Sequence, residues 1–373
     1  MFQPLQAYRQ GQQYTVKLLA GVESTNGREL KQEISWQFQV SPPGVAYLGP
    51  VDNLVQNLYM LDPAHPDAPQ QLTNSQYGIT GFDSAPDGNS LVYAELGEKG
   101  TASINQIDLT SRVSRLLYDC RDAMCSSPVF RPDGGAIAFE KVALNLGTGM
   151  APGVPRVWVL DLATNTAQPL FADNQQLGYG PRWSPDGSRL AVYNVNAGGI
   201  VIHNFNTKQD SVIRTVQGEV GNFSPDGRWL SFPKVVALSD GRYVTHHVLV
   251  DLTSEYLSQT DLVPDNDPAD DKESAWMPDS ARLLVARPSP GGQVMAAPQI
   301  FQVDLTTGNA VPLIEDQGYS QSNLVLSPTG DRLLFQRFSI TKPGARTEIW
   351  MYDFATRALT KLIDNATFGR WIP

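Results

Sequence analysis

Acidic side chains are the most numerous groups in this sequence that could bind a ligand or a metal ion. The densest acidic stretch, DLVPDNDPADDKES at 261–274, contains Asp265, Asp267, Asp270 and Asp271. Their carboxylates are the hard oxygen ligands that Ca²⁺ prefers, but the D-x-[DN]-x-[DN]-G spacing of a calcium loop is absent. A weak calcium site therefore competes with a solvated acidic loop, and no other cofactor is expected.

Cys120 and Cys125, in DCRDAMC, are the two cysteines of the chain. A C-x4-C spacing in a loop can close a small disulfide, which is typical of exported proteins. Two free thiols are the alternative. A zinc site is not expected, because there is no second cysteine pair and no histidine nearby.

The common catalytic motifs are missing from the sequence. It has no G-x-S-x-G, H-E-x-x-H, G-x-x-x-x-G-K-[ST] or C-x-x-C pattern. His203 and His246 fall in predicted strands, and the neighbours His246 and His247 should point to opposite sides of one strand. We therefore favour a noncatalytic protein over an enzyme and assign no catalytic residue.

Charge and hydropathy argue against two classes of partner. The 373 residues carry a formal net charge of −10 and a pI near 4.9, whereas a surface that binds phosphates carries the opposite sign. No apolar run approaches the ~18 residues that span a membrane. We expect neither nucleic acid nor a transmembrane segment.

Two internal repeats indicate how the chain is organised. The first is a Ser-Pro-Asp-Gly-like turn followed by an alternating strand, as in WSPDGSRLAVYNV; its six copies are 40 to 53 residues apart, with prolines at 86, 132, 185, 225, 278 and 328. That is the size of a four-stranded propeller blade. The second is a strand hairpin whose turn begins at Asp or Asn, with seven copies, at Asp62, Asp108, Asp161, Asn204, Asp251, Asp304 and Asp353.

Six copies of one hairpin and seven of the other predict a ring that is closed by both ends of the chain. The surplus hairpin follows a strand-like run, PPGVAYL at 42–48, and its missing innermost strand matches FGRWIP at 368–373. ISWQFQV at 34–40 is a rival for that strand. We predict an all-β, seven-bladed propeller over residues 42–373, closed by N- and C-terminal strands, which removes exposed sheet edges; six blades are the alternative.

Most of the repeated residues have structural explanations. In the first turn Pro presets φ, and Gly accepts a left-handed conformation. The Pro-Asp-Gly pattern is lost at Ser280 and Thr329, where the turn should be slightly strained or differently shaped. An aromatic residue two positions before the turn proline should pack between blades; the examples are Phe130, Trp183, Phe223, Trp276 and Trp371. The Asp of the second hairpin should accept backbone N–H groups of its own turn.

These turns resemble those of the TolB-like propeller repeats and, more distantly, the WD-repeat propellers. The resemblance covers residues 42–373. It implies the propeller fold and leaves binding, scaffolding and catalysis open. TolB-like proteins are usually described with six blades, so the predicted seven is a departure.

The first 41 residues resemble the C-terminal half of a bacterial Ig-like domain, with two strand-like runs around STNGREL and a final Trp-x-Phe strand. This implies a surface or secreted protein. We therefore expect an extracytoplasmic location, with the export signal absent from this chain.

The connections between strands D and A and between strands B and C are long and irregular, and they should share one face of the ring. Loops on a rigid scaffold are where recognition concentrates. We predict that five polar residues near the innermost strands surround the channel mouth on this face: Arg182, Asn222, Glu273, Asn323 and Arg370. Solvation of the channel is the competing role for each of them.

The first functional hypothesis is a monomeric, noncatalytic binding or scaffold propeller that recognises a protein or cell-envelope component through this face. The alternative is a lactonase-like or glycan-active hydrolase or lyase that uses channel carboxylates with a metal. A second alternative is the regulatory propeller of a peptidase.

Overall fold

Short runs of alternating apolar and polar residues between Gly- and Pro-containing turns become strands in the computed structural model. It describes residues 13–24, 27–39, 42–264, 266–289 and 297–373. One short 3-10 turn, Glu98–Gly100, is the helical element of these residues. The chain divides into two units, residues 1–43 and 44–373.

The first unit contains an antiparallel hairpin of β1 (Gln13–Leu18) and β2 (Ile34–Gln39). Tyr14 lies opposite Phe38, and Val16 lies opposite Trp36. Since side chains alternate along a strand, the apolar residues of both strands share one face. The likeness of this segment to an Ig-like domain stays a prediction.

The second unit consists of seven four-stranded antiparallel sheets, as predicted. Blade 1 comprises β3 (Gly44–Gly49), β4 (Asn57–Asp62), β5 (His65–Gln71) and the last strand, β30 (Thr367–Ile372). Blade 2 comprises β6 (Ile79–Ser84), β7 (Ser90–Leu96), β8 (Ala102–Asp108) and β9 (Ser114–Asp119). Blade 3 comprises β10 (Ala123–Phe130), β11 (Ala136–Ala143), β12 (Arg156–Asp161) and β13 (Thr166–Pro169).

The remaining blades follow in chain order. Blade 4 comprises β14 (Tyr179–Trp183), β15 (Arg189–Asn194), β16 (Gly199–Asn204) and β17 (Gln209–Arg214). Blade 5 comprises β18 (Asn222–Phe223), β19 (Trp229–Ala237), β20 (Tyr243–Asp251) and β21 (Gln259–Asp261). Blade 6 comprises β22 (Glu273–Trp276), β23 (Arg282–Pro288), β24 (Pro298–Asp304) and β25 (Ala310–Ile314). Blade 7 comprises β26 (Tyr319–Leu326), β27 (Arg332–Ser339), β28 (Glu348–Asp353) and β29 (Leu359–Asp364).

Closure of the ring combines both ends of the propeller in blade 1. β30 pairs with β3, with Trp371 opposite Val45, and packs between β26 and β6. The Ser84 hydroxyl donates to the carbonyl of Trp371 at 2.8 Å, which ties blade 2 to the closing strand. The predicted seven blades and the C-terminal closing strand are confirmed, and the six-blade alternative and the use of 34–40 as that strand are wrong.

The repeated turn residues act as predicted. The Asp108 carboxylate accepts the backbone N–H groups of Thr110 and Ser111 at 3.0 and 2.7 Å, and the other marker residues make similar contacts. In the first kind of turn the glycines are left-handed, and Ser280 takes the same conformation with a φ of 54°. Turn chemistry therefore sets the blade repeat.

The aromatic residues two positions before the turn prolines lie in the cores between blades, as predicted. Their tryptophans also tie neighbouring innermost strands together. The indole of Trp183 donates to the Val129 carbonyl at 3.4 Å, and that of Trp276 donates to the Asn222 carbonyl at 3.0 Å. These contacts help to hold neighbouring innermost strands in place around the central channel.

Candidate functional site

A cavity of about 530 Å³ occupies the centre of the ring. All seven innermost strands contribute side chains or backbone to its wall. The five residues predicted for the channel mouth line it: Arg182, Asn222, Glu273, Asn323 and Arg370. The structure thus brings them together, and a binding role for them stays a prediction.

One repeat position supplies half of the charged residues that line the channel, Asp83, Arg182 and Arg370. Five of the seven residues that stand three positions before a turn proline or before the terminal Pro373 line the cavity: Asp83, Val129, Arg182, Asn222 and Arg370. We call these five residues the channel layer, because the same position on each strand places them at one depth. Its charged groups are one carboxylate and two guanidinium groups.

The guanidinium groups of the channel layer have no carboxylate within 4.0 Å among the described residues. The Arg182 side chain is open to the cavity, and its Nη1 donates to the Pro181 carbonyl at 3.1 Å. Burial and the charge of Arg370 lower the pKa of Arg182. The Arg370 side chain is half-buried. Both cations are therefore enclosed by the ring without an ion pair.

Asp83 is the residue of the channel layer that the sequence interpretation missed. Its Oδ2 accepts the backbone N–H of Phe130 in the next blade at 2.9 Å. Burial raises the pKa of Asp83, and Arg370 and Arg182 oppose that rise. Counting back three residues from Pro86 would have found it, as for Arg182.

A second repeated feature lies nearer the start of the innermost strands. At five positions before the turn proline the chain bulges into a left-handed residue, at Ser127, Gly180, Asn323 and Phe368. A side chain of the preceding blade accepts the N–H group of that residue in three cases. Glu140 accepts from Gly180 at 2.9 Å, Glu273 from Asn323 at 2.5 Å, and Gln336 from Phe368 at 2.6 Å.

These bulges give part of the predicted mouth a structural role. The Glu273 carboxylate accepts the backbone N–H of Asn323, and burial raises the pKa of Glu273. The Asn222 side chain donates to the Ser274 carbonyl at 3.2 Å. Arg182, Asn323 and Arg370 are thus the predicted residues whose side-chain polar groups are least used within the described part of the protein.

His247 and Ser274 form the closest approach to a nucleophile and base in the channel wall. The Ser274 hydroxyl lies 3.3 Å from His247 Nδ1, and Nε2 of that buried ring has no hydrogen-bond partner. Burial, and then the charge of Arg287, lower the pKa of His247 to about 4. The imidazole is therefore neutral at pH 7. His246 bonds elsewhere, to the Asp267 carbonyl, as its opposite orientation predicts.

The acidic stretch 261–274 covers the edge of β20. Asp270 accepts the Thr245 N–H at 2.9 Å and pairs with Lys272, and buried Asp271 binds Arg287 at 2.6 and 3.1 Å. No group of three or more His, Cys, Asp or Glu in the described ranges is arranged to hold a metal ion.

The other two calcium candidates add little to this geometry. Asp267 accepts the Ala269 N–H at 2.8 Å, and Asp265 lies outside the described residues. Calcium binding by this stretch stays a prediction, in which the ion would compete with protein donors for most of the carboxylates.

Cys120, in the connection that leads into β10, forms a disulfide with Cys125, which lies within β10. Both side chains are buried within the core shared by blades 2 and 3. In the part of the chain that is described, no helix is long and apolar enough to cross a membrane.

Comparison with known proteins identifies the fold. No protein-family model matches the sequence, and no curated protein matches it. TolB from Acinetobacter baumannii superposes with a TM-score of 0.52 at 16% identity, over 89% of this chain and 67% of that one. A putative TolB from Agrobacterium tumefaciens gives a TM-score of 0.50 at 16% identity, over 72% and 90%.

A larger enzyme is also similar. A puromycin-hydrolyzing peptidase of Mycobacterium tuberculosis gives a TM-score of 0.61 at 14% identity, over 87% of this chain and 52% of that one. This chain therefore spans about half the length of that peptidase. At these identities the likeness shows the β-propeller fold and leaves the activity open.

Proposed function

We propose that this chain is a noncatalytic binding propeller that recognises a protein or cell-envelope partner through the face formed by its D–A and B–C connections, called here the loop face. One observation carries the proposal. Of the described large apolar residues that are exposed in connections between propeller strands, eight belong to the loop face: Leu54, Tyr77, Leu146, Met150, Val154, Val195, Val216 and Ile340. Two, Val113 and Tyr256, belong to the opposite face.

A concave site on the loop face supports this reading. A cavity of about 360 Å³ between blades 1 and 2 is lined by Leu48, Leu54, Tyr77 and Phe368. Leu54 is fully exposed, and Phe368 is held at a φ of 54°, which is unusual for a bulky side chain. Apolar pockets beside exposed aromatic and aliphatic side chains are the usual anchors of protein interfaces.

The proposed setting is outside the cytoplasm, and the proposed state is a monomer. The Cys120–Cys125 disulfide supports an oxidising compartment, because such bonds persist there. The likeness to a larger peptidase, of which this chain covers 52%, favours a second candidate, a propeller that regulates a separate hydrolase.

The polar groups of the channel favour binding over catalysis. The carboxylates of Glu273 and Asp83 accept backbone N–H groups of the neighbouring blades, so they act within the scaffold. A hydrolase or lyase that uses them with a metal is therefore the weaker proposal.

Capture from a cell-envelope extract tests the proposal. The loop-face variant combines Leu54→Asp with Val216→Asp, and its matched control combines Val113→Asp with Tyr256→Asp on the opposite face. We expect the wild type and the control to retain the same partner and the loop-face variant to lose it. Equal capture by both variants, or no partner for the wild type, would overturn the proposal.

A further inference from the structure

The two arginines of the channel layer have unused hydrogen-bonding capacity. A guanidinium group offers five N–H donors, and Arg182 uses one side-chain nitrogen, for the Pro181 carbonyl. Within the described residues Arg370 makes no side-chain hydrogen bond and no ion pair. Two cations that line one cavity repel each other, so a ligand that supplies negatively charged acceptors would relieve that repulsion.

The charges of the channel layer define what such a ligand carries. Arg182 and Arg370 together with Asp83 leave a formal charge of +1 at this depth. A monoanion balances that charge, whereas a dianion exceeds it. Glu219 and Glu273 also line the cavity and would repel a second negative charge, whereas Lys272, the third cation of its wall, is already paired with Asp270.

A planar carboxylate suits this pair better than other monoanions do. Its two oxygens match the fork of a guanidinium group, and such charge-assisted contacts are stronger than neutral hydrogen bonds. Arg182 projects from blade 4 and Arg370 from blade 1, so the two cations approach the channel from different sides.

We propose that the channel layer binds a single carboxylate group, held by Arg182 and Arg370, which a small molecule or the partner itself supplies. This inference rests on the proposed function, since it names the chemistry that the binding propeller receives in its channel. Burial and the charge of Arg370 lower the pKa of Arg182. This direction agrees with two like charges that a bound anion would stabilise.

Calorimetric titration of the purified full chain with sodium propionate at about pH 8.5 tests the site, with inorganic phosphate, which is mainly dianionic at that pH, as the second probe. We expect saturable propionate binding, on the order of millimolar for so small a ligand, and weaker binding of phosphate. Arg182→Gln and Arg370→Gln should each weaken propionate binding at least about tenfold. Arg115→Gln, which removes an exposed arginine on β9, should leave it unchanged.

Asp83→Asn provides a test of opposite sign. The amide oxygen of asparagine can still accept the Phe130 N–H, so this change removes the negative charge and keeps the contact between blades. Propionate binding should therefore tighten several-fold, and weaker binding would contradict the inference. Thermal unfolding should show that Arg182→Gln and Arg370→Gln are not destabilised, because neither loses an ion pair. No saturable propionate binding, tighter phosphate binding, or equal binding by Arg182→Gln and Arg115→Gln would overturn the inference.

Capture from the envelope extract with the Arg182→Gln/Arg370→Gln variant distinguishes the two possible sources of the carboxylate, the partner and a small molecule. Loss of the partner would mean that the partner supplies the carboxylate, and unchanged capture would assign it to a small molecule. If propionate fails to bind while the Leu54→Asp/Val216→Asp variant still loses its partner, this inference alone is wrong. If that loop-face variant keeps its partner, the proposed function is wrong.

Discussion

The indole N–H of Trp371 donates to the Val325 carbonyl at 3.0 Å and so joins the last strand of the chain to the innermost strand of blade 7. The same strand pairs with β3, and its Trp371 carbonyl accepts the Ser84 hydroxyl of blade 2. One short strand therefore holds three neighbouring blades together. We therefore expect the stability of the ring to depend more on this one strand than on any of the six repeated turns.

Trp371→Phe should lower the free energy of unfolding by about 1 kcal/mol, because it removes the hydrogen bond to Val325 and keeps most of the packing. Trp371→Ala should lower it by about 3–5 kcal/mol, because it also leaves a cavity in the core around this 4% exposed side chain. Urea denaturation measures both. Equal effects of the two variants would show that the hydrogen bond, and not packing, is what the residue supplies.

Arg287 and Asp271 form a buried ion pair, and breaking it should be severe. Arg287→Met leaves the Asp271 carboxylate buried without its partner, so the free energy of unfolding should fall by about 3–5 kcal/mol. The double variant Arg287→Met/Asp271→Leu should recover most of that loss. Lys272→Met, which breaks a more exposed pair with Asp270, is the matched control and should cost at most about 1 kcal/mol. Similar losses for the two single variants would contradict the assignment.

These contacts show where interpretation of the sequence succeeds and where it stops. Turn residues such as Asp108 accept N–H groups two and three positions along the chain, so a short stretch of sequence is enough to predict their role. Counting these turns then predicts the number of blades. Arg182 and Arg370 were found because one repeat position faces the channel. Asp271 was missed as a buried ion pair, because its partner, Arg287, lies on the following strand, and contacts between strands depend on register.

His247 should make stability depend on pH in a defined window. Its pKa falls from an ordinary 6.5 to about 4 in the folded state, so the unfolded chain binds more protons between these values. Stability is therefore lost as the pH falls from about 6.5 towards 4, by up to about 3 kcal/mol from this group. His247→Gln should remove that component, so the wild type and the variant should converge in stability as the pH falls. A constant difference between them from pH 7 to pH 4.5 would refute the assignment.

The disulfide should stabilise the propeller modestly. Cys120 and Cys125 close a short loop, so Cys120→Ser/Cys125→Ser should lower the free energy of unfolding by about 2 kcal/mol. A reducing agent should lower the wild type by the same amount and leave the double variant unchanged. Thermal unfolding with and without the reductant measures this, and equal sensitivity of both proteins would mean that the bond does not form in solution.

Hydrogen–deuterium exchange of the full chain with and without its captured partner tests the central claim, that recognition uses the loop face. We predict new protection in connections 50–56, 72–78, 144–155 and 215–221, and little change at the turns 109–113 and 252–258 on the opposite face. Protection confined to those two turns, or to the outer strands of the blades, would contradict it.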